Sequence, residues 1–330
     1  MPCYSGKVWD GSCFYDGYAI VEDGRVSEVG EGSPAGSVKV GCILPGLTDG
    51  HTHVGDAGLH LDRRYGLEEL VAPPDGLKHR YLRETPTDRI ERDMSDYVGK
   101  LTSGGVSRFI DFREGGLEGV RMLRRVSGRA VIFGRPVSKE FDTNEIDTIL
   151  NEADGIGIPS ISDVPDSYIS AIADAVHRHG KHLAIHVSER VREDFGRIFS
   201  LEPDFIVHMC EATDADMKAC ADADIPVVVC PTSNLYFGKV PPIRRMYNAG
   251  VRMCIGTDNA MLCKPDIFAE ARIFRDVADG QGCPRGLAVE SLLVNGNNLL
   301  LRGALGLLRG AEMPVLTGDD PLSGKLIGPN

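Results

Sequence analysis

His51 and His53 close the stretch Leu44-Pro-Gly-Leu-Thr-Asp-Gly-His51-Thr-His53, so two imidazoles stand one residue apart at the end of an apolar run. In an extended strand alternate side chains share a face, which points both rings the same way. Two converging neutral imidazoles are half of a tetrahedral or five-coordinate metal site of the kind that takes zinc or iron. A His-x-His by itself is more often surface or core than ligand, so the remaining ligands decide. His186, His208 and Asp258 each end a later apolar run and are the candidates.

The runs themselves say how such residues are brought together. Eight apolar, β-branched segments, each ending in polar residues, occur at 43–53, 107–113, 129–135, 155–160, 182–186, 205–208, 226–231 and 251–258. Helix-patterned stretches lie between them; in 166–179 the apolar residues Ile169, Ile172, Ala173 and Val176 are spaced three and four apart. Strands that are continuously apolar and alternate with helices describe a parallel sheet covered on its outer side. Eight of them predict an α/β fold, a (β/α)8 TIM-type barrel, and no Gly-x-Gly-x-x-Gly follows the first run to favour an open doubly wound sheet. Ahead of the barrel, 18–40 reads as short strands with an Asp23-Gly24 hairpin turn. The expected division is a small β domain over 1–42 and a barrel over 43–310.

A barrel of this type places its chemistry at the C-terminal ends of the strands. His51 and His53 end the first, His186 the fifth, His208 the sixth and Asp258 the eighth. His60, His177, His179 and His182 fall in helices, loops or strand starts, whereas His79 is expected in a long loop after the first strand, within reach of a substrate. His51, His53, His186 and Asp258 make a mononuclear metal site with room for water. Water bound to a divalent cation there would ionise near neutrality. In the expected catalytic set Asp258 is both ligand and proton acceptor. Glu189, three residues beyond His186, enters the same mouth and suits a proton shuttle to a ring nitrogen and then to the leaving group. His208 hydrogen-bonds the attacking water and stabilises developing charge. Binuclear members of metal-dependent barrels commonly need a bridging ligand, often a lysine, at the end of the fourth strand, and 155–162 has none, so one Zn2+ or Fe2+ per chain is expected. Lys139 and Glu140, after the third strand, are further candidates for a helping role.

Composition narrows the function class. The chain has 330 residues, 42% hydrophobic and 25% charged, with a formal net charge of -12. That is an ordinary globular enzyme composition. An acidic chain without a clustered basic face does not grip phosphate backbones, which excludes nucleic acid as the expected partner. No window approaches a membrane span and the start lacks a secretory pattern, so the expectation is a cytoplasmic protein acting on a small molecule, with a homo-oligomer left open. Nine cysteines without a Cys-x-x-Cys pair indicate neither a disulfide framework nor a structural zinc ribbon.

The motifs Leu-Pro-Gly-Leu-Thr-Asp-Gly-His51-Thr-His53, His186-Val-Ser-Glu189, Val-His208-Met-Cys, Cys230-Pro-Thr-Ser233-Asn234-Leu and Gly256-Thr-Asp258-Asn-Ala resemble those of the amidohydrolase superfamily. More narrowly they are similar to its branch of cytosine, guanine and S-adenosylhomocysteine deaminases and triazine chlorohydrolases. The resemblance runs from about Ile43 to Arg275. It implies a mononuclear zinc or iron site, hydrolytic loss of ammonia or another leaving group from an aromatic N-heterocycle, and the same ligand and catalytic roles. It also places Ser233 and Asn234 near the site, where a turn or helix cap is the plainer alternative. Such enzymes finish with several strands that complete the small β domain, but little follows Leu308 here, so a reduced β-sandwich, joined at most by 311–330, is expected.

Substrate contacts are expected from the other strand ends and loops: Arg113 and Glu114 after strand two, Arg135 after strand three, and His79. Arginine there can hold an anionic group bidentately or hydrogen-bond a ring carbonyl, and equally it can be paired structurally to Asp111 or Glu114. The expected function is a metal-dependent deaminase of a purine, pyrimidine or related ring. The alternatives are a cyclic amide hydrolase or chlorohydrolase-like enzyme with the same site, and, from another class, a non-catalytic metal- or ligand-binding barrel.

Overall fold

The computed structural model describes residues 1–138, 140–300, 306–312 and 315–323. Four strands open the chain: β1 (Cys3–Trp9), β2 (Phe14–Glu22), β3 (Arg25–Glu31) and β4 (Val38–Leu44). With the late strand Val315–Thr317 they form a five-stranded sheet in the order late strand, β4, β1, β2, β3. The hairpin between β2 and β3 turns at Asp23 and Gly24, both in the left-handed region at φ 50° and 74°, which matches the twist of antiparallel strands. Tyr4, Val8, Ala19, Val21, Ile43 and Leu316 cluster in its core. The C-terminal segment does return to the small sheet, antiparallel to β4. Among the described residues these strands form a single hydrogen-bonded sheet of five.

The second sheet is parallel and carries β5 (Leu47–His53), β6 (Val106–Arg113), β7 (Ala130–Gly134), β8 (Gly155–Ile158), β9 (His182–Val187), β10 (Phe205–His208), β11 (Val227–Val229), β12 (Met253–Ile255) and β13 (Asp258–Asn259). Its order is β12-β11-β10-β9-β8-β7-β6-β5-β13. The two edge strands, β12 and β13, are separated in the chain only by Gly256 and Thr257. The sheet therefore curls until its last segment lies beside its first strand, with Asp258 opposite Thr52 and Asn259 opposite His53. This is a curled parallel sheet of the TIM type.

Two of the eight apolar runs are divided in the structure. In 43–53, Ile43 and Leu44 belong to the small sheet, and Pro45, which has no N–H and a fixed φ, interrupts the ladder before β5 begins. In 251–258, the strand breaks at Gly256-Thr257 and resumes at Asp258, whose φ is 64°. The helix Asp166–Arg178 buries the expected Ile169, Ile172, Ala173 and Val176. Capping side chains set where helices begin: Asp142, Asp194 and Asp266 each accept backbone N–H groups, and Thr213 forms a capping box with Asp216. No helix of the described residues is long and apolar enough to cross a membrane.

Ile110, Phe112, Phe133, Phe205, Val207 and Val228 fill one continuous interior cluster. The Phe112 ring meets His51 edge-on at 4.5 Å between centroids and His186 at 4.9 Å, so it packs under the histidines. Gly157 makes room for that ring: a Cβ there would lie 2.5 Å from a Phe112 ring carbon. Overpacking of this kind costs about 1–3 kcal/mol. Gly157→Ala is expected to lower the melting temperature by several degrees in a thermal melt; an unchanged melt would mean the ring can withdraw without cost.

Candidate active site

The strand ends bring four groups together. His51 Nε2 lies 3.3 Å from Asp258 Oδ1, and His53 Nε2 lies 3.6 Å from the same oxygen. His53 Nε2 and His186 Nε2 are 3.4 Å apart. Each of these two rings faces a carbonyl through its other nitrogen, His53 Nδ1 with Phe112 O and His186 Nδ1 with Ile158 O, both at 3.0 Å. A carbonyl only accepts, so both protons sit on Nδ1 and two bare Nε2 lone pairs face one another. Two acceptors cannot hydrogen-bond each other. Among the described residues, both nitrogens of the buried His51 also lack hydrogen-bond partners. Buried lone pairs converging on a carboxylate fit a divalent cation, and the donor set of three imidazoles and one carboxylate is of the kind that binds zinc or iron. Burial, then the nearby Lys78 ammonium, pushes His53 down to about 3, and burial with neighbouring histidines takes His186 well below its usual value, so both rings are neutral as ligands must be.

A carboxylate backs this cluster. Glu114 Oε1 lies 2.9 Å from His53 Nδ1, 2.7 Å from Lys78 Nζ and 3.5 Å from an Arg135 nitrogen. Burial alone would raise Glu114, but Lys78, His53 and Arg113 hold it well below the ordinary carboxylate range. Lys78 also donates to Asn259 Oδ1 at 3.1 Å and stands 3.6 Å from Asp56. Beneath Asp258, the buried Asp49 accepts from the Thr257 N–H at 3.0 Å and its hydroxyl at 2.7 Å, which fixes the turn that presents Asp258.

Across the mouth, Glu189 Oε2 lies 3.6 Å from His208 Nε2. Asn234 Nδ2 donates to His208 Nδ1 at 3.1 Å, which leaves the ring's proton on Nε2, toward Glu189. Burial raises the Glu189 carboxyl above its ordinary value. The turns that aim these groups are strained: Ser188, His208, Met209 and Asp258 have φ of 49°, 81°, 63° and 64°. Each such residue costs about 1–3 kcal/mol, and such conformations concentrate at functional sites.

These groups floor a cavity of about 380 Å³. His53, His186, Glu189, His208, Asp258, Asn259 and Lys78 line it, together with Arg135, Ser160, Asp163, Arg190 and Glu68. Helix α1 (Leu67–Val71), with Ala72 and Pro73 after it, adds an apolar side. Of the expected substrate contacts only Arg135 lines this space. His79 is not in a loop but in helix α2 (Leu77–Glu84), where Nε2 meets the Val71 carbonyl at 3.2 Å. Arg113 is folded back, its Nε donating to its neighbour's carbonyl at 3.0 Å, and Glu114 lies behind His53. Ser233 and Asn234 sit in the helix Pro231–Tyr236, Asn234 touching His208 instead of the cavity. Glu140 is exposed, and Lys139 lies outside the described residues.

Lys78, Asn259 and Asp49 were not singled out from sequence. Lys78 stands next to the expected contact His79, but its own contact with Asn259 spans 181 residues and leaves no local signal. Replacing Glu114 by Gln removes the anion between Lys78 and His53. Loss of such a partner costs roughly 10–100-fold in metal affinity, and competition with a chelator should show it; unaltered affinity would mean that the Phe112 carbonyl alone orients His53.

The profile of the Amidohydrolase family matches residues 42–285. A Methanothermobacter thermautotrophicus protein provisionally named an aminohydrolase is 31% identical over 294 residues, covering 81% of this chain and 76% of that protein. The 5'-deoxyadenosine deaminase of Methanosarcina acetivorans is 24% identical over 329 residues, covering 86% and 75%. In fold, the chain is similar to an adenosine deaminase from Xanthomonas campestris with bound zinc, at TM-score 0.77, 15% identity and coverage of 99% and 87%. It is also similar to the guanine deaminase of C. acetobutylicum, at TM-score 0.71, 15% identity and coverage of 98% and 92%. With the strand-end histidines, the curled parallel sheet and this match over most of its length, the chain belongs to the amidohydrolase family.

Proposed function

We propose that the chain is a metal-dependent deaminase of an aromatic N-heterocycle of the purine type, acting as a hydrolase at a C–N bond. The observation that carries this reading is the convergence of His51, His53, His186 and Asp258 beside the Glu189–His208 pair. The deaminase names of relatives such as the Methanosarcina protein support it. One divalent cation, Zn2+ or Fe2+, held by those four side chains would supply Lewis-acid activation of a water.

The chain's own residues do the rest. Glu189, kept protonated more readily by burial, gives its proton to the ring nitrogen next to the reacting carbon, which makes that carbon a better electrophile. His208, with Nδ1 occupied by Asn234, offers Nε2–H to the incoming oxygen and to the charge that forms on it. Asp258 takes the water's proton, and a proton returned through Glu189 lets the amine leave as ammonia. Arg135, whose guanidinium has one hydrogen bond among the described residues, at 3.5 Å to Glu114, has further donors to offer a carbonyl or an anionic substituent of the substrate. The cavity volume lies at the small end of the range for small-molecule pockets.

Ammonia release measured over adenosine, 5'-deoxyadenosine, guanine and cytosine with zinc- or iron-loaded protein tests the reading. A ring-opened product without ammonia would replace it with cyclic amide hydrolysis, and heterocycle binding without turnover by loaded protein would replace it with a binding module. Glu189→Gln is expected to keep the metal and lose about 100-fold or more in turnover, whereas His186→Ala should lose both metal and turnover. Full activity of Glu189→Gln would remove the proton-shuttle role.

A further inference from the structure

Glu193 is buried, 4% exposed, yet it neither lines the cavity nor meets the metal-ligand cluster. Its carboxylate collects four neutral donors. Oε2 accepts the Ser188 N–H at 2.7 Å. Oε1 accepts the Ser160 hydroxyl at 2.5 Å, the Ser162 N–H at 3.0 Å and the Ser162 hydroxyl at 3.1 Å. In return the Glu193 N–H donates to Ser188 Oγ at 3.1 Å. A single side chain thus closes the loop 188–193 on itself and ties it to the loop after β8, where Ser160 forms part of the cavity wall.

The residue it seizes is the one that matters for aim. Ser188 stands between β9 and Glu189, at a φ of 49° that a residue with a Cβ rarely adopts. Were Ser188 to relax into ordinary strand geometry, the chain would run on past the mouth and carry the Glu189 carboxyl away from His208. The donors on Glu193 offset that strain, because hydrogen bonds to a charged acceptor are stronger than neutral pairs. The Ser188 carbonyl is fastened as well, accepting the Glu211 N–H at 2.8 Å.

We propose that Glu193 is a positioning residue, which locks the Ser188 turn and so keeps the Glu189 carboxyl in the mouth against His208. The inference rests on the proton-shuttle reading of Glu189. It makes Glu193 act on turnover through Glu189 and not through the metal or through substrate affinity.

A double-mutant cycle on the full, metal-loaded protein tests this, with the heterocycle that releases ammonia in the panel above. Glu193→Gln cannot accept from both sets of donors. It is expected to keep its metal, leave KM nearly unchanged and lose about 10–100-fold in kcat, the scale set by a displaced general acid. In a Glu189→Gln background the same substitution should cause no further loss, since coupled residues are not additive. An equal fractional loss in both backgrounds would show that Glu193 supports the fold generally and would overturn the proposal, as would native kcat in Glu193→Gln. If Glu193→Gln does not fold, Ser188→Ala removes only the hydroxyl leg of the clamp and should give a smaller kcat loss that again vanishes in the Glu189→Gln background; persistence there overturns the proposal. A crystal structure of Glu193→Gln supplies a readout without substrate: the Glu189 carboxyl is expected to leave His208, and an unmoved carboxyl refutes the clamp. The two readings fail separately. Active Glu189→Gln ends the shuttle, whereas inactive Glu189→Gln with fully active Glu193→Gln ends only the clamp.

Discussion

Two imidazole lone pairs, His53 Nε2 and His186 Nε2, face each other at 3.4 Å in a buried site with their own protons turned outward to carbonyls. That arrangement is unfavourable unless a cation lies between the acceptors. Much of the surrounding structure holds it in place. Phe112 packs its ring edge against His51 and His186, and the backbone around Phe112 and Ile158 orients the rings. The orientation is imposed by strand backbone, which is stiffer than any side chain.

Buried carboxylates do a second kind of work. Asp49 fixes the Thr257 turn, Asp111 accepts from the Thr52 hydroxyl at 2.9 Å and the Val54 N–H at 2.7 Å, Glu114 backs His53, and Glu193 grips Ser188. Asp49, Asp111 and Glu193 bind backbone N–H groups and hydroxyls beside residues of the site, Glu114 binds the His53 ring and the Lys78 ammonium, and none of these four lines the cavity. Burial pushes Asp49 up to about 7 and Asp111 up to about 6. Strand ends are where the ladder stops satisfying N–H groups, so these acids take over the role that the next residue of a strand would have had.

The strand-end histidines and Asp258 were legible because two sequence signals coincide there: an apolar run of strand length and a ligand-type residue at its polar end. The hairpin at Asp23-Gly24 was legible for a similar local reason. What was not legible depends on contacts far apart in sequence or on one step of helical phase. Lys78 reaches Asn259 across 181 residues, and nothing local distinguishes it from the neighbouring His79. For Arg113 the sequence left a substrate contact and a structural pairing equally open, and the structure shows the second, with its guanidinium folded back against Glu114. Pro45 carried a local signal for the break before β5, but the apolar run on either side of it hid the change of sheet. The small domain's layering depends on residues near 315, whose pairing with β4 has no periodic signature over three residues.

The edge strands β12 and β13 meet around two residues of chain, and β13, which closes the curl against β5, consists of Asp258 and Asn259. The carboxylate facing His51 and His53 is therefore also the seam of the barrel. A cation held there would act as a clasp across the join between the first strand and the last, because anything that binds the joined form alone stabilises it. Closure of the sheet and assembly of the candidate site thus share one segment: the chain completes its wall where it sets Asp258 against the histidines.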